Sequence, residues 1–153
     1  MSEKELYRLA FQGNRDAQRA IEEAMGLPEG AVAGRIASIK EMEQKAKGGD
    51  TFAMAQYGRE LFAGMFLDQD FKEAAFWLKK AADDGWRVAM FYLGEIYTKK
   101  EEFEGWDYYK ALYYMGKALA EGPDADGFIG GVIRYESAKD FYEHIEKRRD
   151  RDR

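Results

Sequence analysis

The residues able to carry acid–base, nucleophilic or metal chemistry are few and scattered. The chain has 153 residues, one histidine and no cysteine. His144 stands in FYEHIEKRR, where Glu143 and Glu146 would not share its face of a helix. Neither a two-histidine metal site nor a paired acid–base group forms around it, so it reads as a solvent-edge residue of the last helix. Serine occurs at Ser2, Ser38 and Ser137, none in a G-x-S-x-G context. The segment KKEEFEGWD, residues 99–107, is rich in carboxylates. It lacks the spaced Asp/Asn and closing glutamate of a calcium loop, so it reads as a charged connection between helices. GGVIR at 130–134 is not followed by the G-K-[ST] of a phosphate loop. The expectation is a protein with no catalytic residues, no metal site and no cofactor.

Composition narrows the class. Lys and Arg number 24 against 29 Asp and Glu, a net charge of −5. Nucleic-acid affinity comes mostly from clustered cations, so this balance argues against such a partner. The one dense basic feature, EKRRDRDR at 146–153, alternates in sign and reads as a solvated helix end. No run approaches the ~20 apolar residues of a spanning helix, which argues against a membrane partner. The start, MSEKELYRLAFQGNRDAQ, has no apolar signal region. With the lack of cysteine, this favours a cytoplasmic protein. The two prolines sit in turn-like contexts, GLPEG and EGPDADG. Ala, Glu, Lys, Leu and Met abound and β-branched residues are sparse, a pattern that predicts an all-α fold.

The elements that position any site show an internal period. Four windows align: GNRDAQRAIE from Gly13, GDTFAMAQYG from Gly49, GWRVAMFYLG from Gly85 and GPDADGFIGG from Gly122, with steps of 36, 36 and 37 residues. Ala17, Ala53 and Ala89 share one column; Ile21, Tyr57 and Leu93 share another; Gly58, Gly94 and Gly131 a third. The segments before the leading glycines also match, Ala74 with Ala111, Trp77 with Tyr114, Leu78 with Met115 and Ala81 with Ala118. Each unit reads as two helices. The first starts just after the leading glycine and ends near Phe62-Ala63 in the second copy. After a loop such as GMFLDQD, the second helix runs from Phe71 to about Asp83. Small residues at fixed columns mark places where helix axes approach closely, with Gly58 and Gly94 admitting a neighbour. The junction glycines suit left-handed helix ends.

GDTFAMAQYGRELFAGMFLDQDFKEAAFWLKKAADDG, with its Ala53, Gly58, Gly64, Asp70, Ala74, Trp77, Lys80, Ala81 and Gly85, resembles the Sel-1-like repeat, an α/α solenoid unit related to the tetratricopeptide repeat. The next unit carries the resemblance on through Ala89, Leu93, Gly94, Tyr97, Ala111, Lys117, Ala118 and Gly122. The resemblance is concentrated in 49–122. It implies a single domain over 1–153, an α/α solenoid of about three to four antiparallel helix pairs. Residues 1–48 would be a diverged repeat or cap, 49–84 and 85–121 repeats, and 122–153 a C-terminal cap. GLPEGAVAG stands in place of the usual loop of the first unit. The resemblance further implies a non-catalytic adaptor or scaffold that binds a protein or peptide in a concave groove.

Aromatics make up 15% of the chain. Trp77, Tyr114, Tyr57, Tyr97 and Tyr108 fall where the repeat needs core residues. Phe52, Tyr92, Phe91, Trp86 and Trp106 are not demanded by the repeat. The first-helix positions facing away from the core anchors are Asp16, Ala20 and Glu23; Phe52, Gln56 and Arg59; and Val88, Tyr92 and Glu95. Phe52, Gln56, Arg59, Tyr92 and Glu95 form the predicted partner-binding patch, apolar in the middle with charged margins. The competing reading is that Phe52 and Tyr92 pack against a neighbouring repeat. The partner expected is another protein. A small acidic inhibitor or immunity-type protein that masks a specific enzyme or toxin is the alternative, and end-to-end association with a second copy stays open.

Overall fold

The computed structural model describes residues 1–123 and 133–152. These residues form eight α-helices and no strand: α1 (Glu3–Phe11), α2 (Arg15–Met25), α3 (Ala31–Lys47), α4 (Thr51–Ala63), α5 (Phe71–Asp83), α6 (Arg87–Ile96), α7 (Tyr108–Ala120) and α8 (Tyr135–Arg151). The all-α class expected from composition is the one observed. No helix among the described residues is long and apolar enough to cross a membrane.

Local chemistry sets the helix ends. Helices α2, α4 and α6 start two residues after Gly13, Gly49 and Gly85, which hold φ values of 100°, 101° and 97°. The amide just past each glycine reaches back to a carbonyl of the preceding helix: Asn14 to Leu9 (3.1 Å), Asp50 to Lys45 (3.0 Å) and Trp86 to Ala81 (3.1 Å). The left-handed glycine thus satisfies otherwise orphaned carbonyls and turns the chain into the next helix. Asn14 and Asp50 then cap α2 and α4, their side chains accepting from the amides of Ala17 (2.9 Å) and Ala53 (3.1 Å). Asp70 and Asp107 cap α5 and α7 in the same way. Their own amides donate to Leu61 and Tyr97, which closes the two intervening loops.

The first loop departs from the expectation. GLPEG forms the connection, but AVAG belongs to α3, a helix of 17 residues. Gly30 offers α3 no side-chain cap. The buried Glu22 of α2 supplies one instead, its carboxylate accepting from the amide of Val32 at 2.9 Å. A negative charge at a helix N-terminus is favourable, and this helps offset the cost of burying it.

Packing follows the small residues. Ala53, Ala74, Ala89 and Ala111 are buried, as are Leu78, Leu93 and Met115. A Cβ on Gly58 would lie 2.7 Å from Cγ of Leu78 and 3.3 Å from the carbonyl of Ala74. One on Gly94 would lie 3.2 Å from the carbonyl of Ala111. Helix α4 therefore meets α5, and α6 meets α7, with backbone close to backbone. The buried residues form a small cluster around Tyr7, Ile21, Ile36, Ile39 and Phe66, and a larger one from Ala46 to Ile145; Leu67 packs against both. Of the aromatics expected in the core, Tyr57, Tyr97, Tyr108 and Tyr114 are buried. Trp77 is half-buried with its ring edge-on to Tyr57.

Residues 124–131 of the fourth window, Gly131 among them, lie outside the described residues. The helix seen against α7 is α8, which begins well beyond Gly122. It runs antiparallel to α7: the Tyr135 hydroxyl meets the Leu119 carbonyl at one end, and the Arg148 guanidinium lies 5.3 Å from the Tyr108 ring at the other. Ala138 and Ile145 are fully buried, with the same seven-residue separation as Ala89 and Ile96 of α6.

Two glycine substitutions should go opposite ways. Gly58→Ala is expected to destabilise by about 1–3 kcal/mol, because Leu78 is fully buried and has nowhere to move. Gly34 lies in α3 with nothing within 4 Å of its would-be Cβ, so Gly34→Ala should stabilise by up to about 1 kcal/mol. Urea unfolding followed by circular dichroism measures both.

Candidate functional site

The five predicted patch residues lie on two helices. Phe52, Gln56 and Arg59 follow one another at i, i+4 and i+7 on α4, and Tyr92 and Glu95 at i and i+3 on α6. This spacing gives each set one face of its helix. The Arg59 guanidinium lies 5.7 Å from the Tyr92 ring, which joins the two sets. Tyr92 is half-buried, in contact with Phe62 of α4 (5.3 Å) and Phe91 (5.6 Å). Packing against a neighbouring helix pair, the competing reading for this residue, accounts for its inner edge. The cation stands over the ring.

Phe52 goes elsewhere. Its ring lies 4.9 Å from that of Trp86, across the seam between the α4–α5 and α6–α7 pairs. Phe52 is 45% exposed and Trp86 38%. The Trp86 indole donates to the Thr51 hydroxyl at 2.9 Å, and that hydroxyl bonds to the Asp84 carboxylate. The pair is thus fixed by hydrogen bonds while its apolar surface stays open. Trp86 was not among the predicted patch residues.

Glu95 is half-buried. It lines a cleft of about 520 Å³ with Thr98, Tyr108, Phe141, His144 and Arg148, between the end of α6 and the last turns of α8. Burial pushes its carboxyl above the ordinary glutamate range, and nearby Lys99 pulls the other way. His144 is exposed at the cleft rim. Elsewhere, burial and the carboxylates of Glu43 and Glu73 push the Tyr57 phenol up to about 12, so it stays protonated at neutral pH. Among the described residues no group of three or more His, Asp or Glu could hold a metal ion.

Three large exposed rings were not singled out from the sequence: Phe76, Tyr109 and Tyr113, at 52%, 60% and 59% exposure. A signal was present. Phe76-Trp77 and Tyr113-Tyr114 are adjacent aromatic pairs at matched places, and adjacent residues on a helix point in different directions, which here leaves the first ring of each pair exposed.

Comparison of the chain with protein-family models, with curated proteins and with solved structures yields no match.

The raised Glu95 pKa has a sign. The folded state holds this proton more tightly than the unfolded chain. Its contribution to stability is complete below the unfolded-state pKa and is lost as pH rises through the higher folded value. Glu95→Gln cannot ionise. Its urea midpoint relative to wild type should therefore climb as pH rises above the ordinary glutamate value of about 4.3, then level off. A pH-independent difference would show that Glu95 titrates alike in both states.

Proposed function

We propose that the chain is a non-catalytic protein-interaction module, an adaptor or scaffold, built as an α/α solenoid of the Sel-1-like kind. The 36-residue step between the starts of α2, α4 and α6 supports the solenoid reading, as do the matching junction glycines and the close contacts at Gly58 and Gly94. On this reading α8 serves as the C-terminal cap. Its buried Ala138 and Ile145 face α7, while Glu136, Asp140, Glu143 and Lys147 are turned to solvent.

The observation that carries the functional reading is the Phe52–Trp86 pair. Two large rings from different helix pairs lie open to solvent, held by the Trp86–Thr51 hydrogen bond rather than by burial. Gln56 and Arg59 continue this surface along α4, and Arg59 joins it to the half-buried Tyr92 of α6, whereas Glu95 is turned into the cleft beside α8. A rigid aromatic centre with polar margins has the composition of an interface hot spot, and its rings lose little side-chain freedom on binding. The partner that suits it is a peptide or folded protein presenting a complementary apolar side chain beside an anionic group for Arg59.

Affinity capture from a native lysate with quantitative mass spectrometry tests this. Phe52→Ser/Arg59→Glu changes two exposed residues, so the variant should fold and melt like wild type. It should recover the specific partner at least about tenfold less well, the size expected when a hot-spot residue is removed. Undiminished capture by the folded variant would remove this surface from the argument.

A further inference from the structure

The cleft between α6 and α8 gathers polar groups that nothing else among the described residues satisfies. Tyr108, at the start of α7, lines it and is 4% exposed. Its hydroxyl is shielded from water and makes no hydrogen bond. The Asp152 carboxylate stands beside it without completing one, and is shared between Lys100 at 3.7 Å and Arg151 at 3.5 Å. Buried polar groups are nearly always bonded, so an orphaned phenol facing a cleft points to a missing partner. The Arg148 guanidinium lies 5.3 Å from the centre of the same ring. It is half-buried, and no carboxylate among the described residues pairs with it. Across the cleft the half-buried Glu95 carboxyl also lacks an ion-pair partner; burial acts on it most strongly, and Lys99 is the one cation that pulls on it. Glu95 and Arg148 line one space without reaching each other.

We propose that this cleft binds a small zwitterion, a free α-amino acid with an apolar side chain. Its carboxylate accepts from the Arg148 guanidinium and the Tyr108 hydroxyl, its ammonium donates to Glu95, and its side chain lies on the half-buried Phe141. Charge selects this class. On the α6 side the lining residues are Glu95, Lys99, Lys100, Glu101 and Glu102, one more acid than base. On the α8 side Arg148 and Arg151 outnumber Asp152, with His144 at the rim. The cleft is thus balanced as a whole but opposite in sign on its two walls. A ligand of one sign gains at one wall and loses at the other, whereas a ligand with both ends gains at both. Asp107, next to Tyr108, is engaged elsewhere, accepting from the amides of Tyr109 (2.9 Å) and Lys110 (3.2 Å). Geometry agrees: a guanidinium and a phenol at one spot offer separate donors to the two oxygens of a carboxylate. Burial holds the Glu95 carboxyl above its ordinary range, so an ammonium replaces hydration that this group has lost. The volume of about 520 Å³ falls within the range of small-molecule sites, about 300–1,000 Å³.

The proposal does not rest on the Phe52–Trp86 surface and is tested on the full chain. The probe is L-leucine, titrated into the ¹⁵N-labelled protein and followed by amide shifts in ¹H–¹⁵N correlation spectra. Saturable shifts are expected at the end of α6 and along the last turns of α8. N-acetyl-leucine keeps only the anionic end and leucinamide only the cationic one. Each should bind at least about tenfold more weakly than leucine, since each gives up a hydrogen-bonded charge. Glycine, with nothing to lay on Phe141, should also bind more weakly. Tyr108→Phe, Arg148→Gln and Glu95→Gln should each lose about tenfold or more in affinity for leucine, with thermal melts showing a folded chain. Phe52→Ser/Arg59→Glu should bind leucine like wild type. Absence of saturable shifts at millimolar leucine would overturn the proposal. N-acetyl-leucine binding as tightly as leucine would assign the cleft to anions such as a peptide C-terminus, and leucinamide doing so would assign it to cations; either result overturns the zwitterion. Unchanged leucine binding by Tyr108→Phe with a lowered melting temperature would show that the hydroxyl serves Asp152 instead, and would overturn the site as drawn.

Discussion

The close approach of paired helices is the constraint on which the rest of the structure depends. At Gly58 the space that a Cβ would occupy is already taken by Leu78, and at Gly94 the Ala111 carbonyl and Met115 lie so close that they would have to give by a few tenths of an ångström. Glycine costs about 1 kcal/mol in a helix interior relative to alanine. Here that cost is offset by letting large side chains of the second helix lie directly on the backbone of the first. Once the axes are this close, the alanines beside them are enclosed. Bulky aromatics can then enter only at the edges of each pair.

That consequence governs the surfaces. The chain carries more aromatic side chains than its narrow helix pairs can enclose. Tyr57, Tyr97, Tyr108 and Tyr114 fill the edges of the core, and further rings spill outward next to them. The outward rings are not loose. Phe76 and Tyr113 each lean on an inner neighbour and carry a lysine, and Trp86 is tethered to Thr51. Surface electrostatics follow the same division. Lys80 of α5 and Lys110 and Lys117 of α7 stand over rings, whereas the carboxyl of Glu95 is drawn into a cleft by the arrival of α8 and loses hydration there.

Much of the helix layout was legible in the sequence because its signals are local. The Gly-plus-cap pairs Gly13-Asn14 and Gly49-Asp50 specify a left-handed turn and an N-cap in two adjacent residues, so the starts of α2 and α4 could be read directly. The extent of α5 and the end of α4 followed from apolar spacing. Less was legible where a distant group substitutes for a local one. Residues 31–34 looked like loop because the repeat they resemble has its loop there; Gly30 brings no side-chain cap, and the cap comes from Glu22 on another helix. The candidate patch was legible in part. Arg59 and Tyr92 do meet, but Phe52 turns to Trp86, a partner 34 positions away.

The sequence by itself determined that the chain is helical, where α2, α4 and α6 begin, the end of α4, the extent of α5, and which small residues recur. Those properties rest on hydrogen bonds and side-chain sizes within a few residues of each other. Only the tertiary structure decided that Phe52 turns to Trp86, that α8 lies antiparallel on α7, and that Glu95 sits in a cleft rather than at an open margin. Burial and pairing at those positions depend on the distance between helices that are remote along the chain. No local pattern encodes that distance.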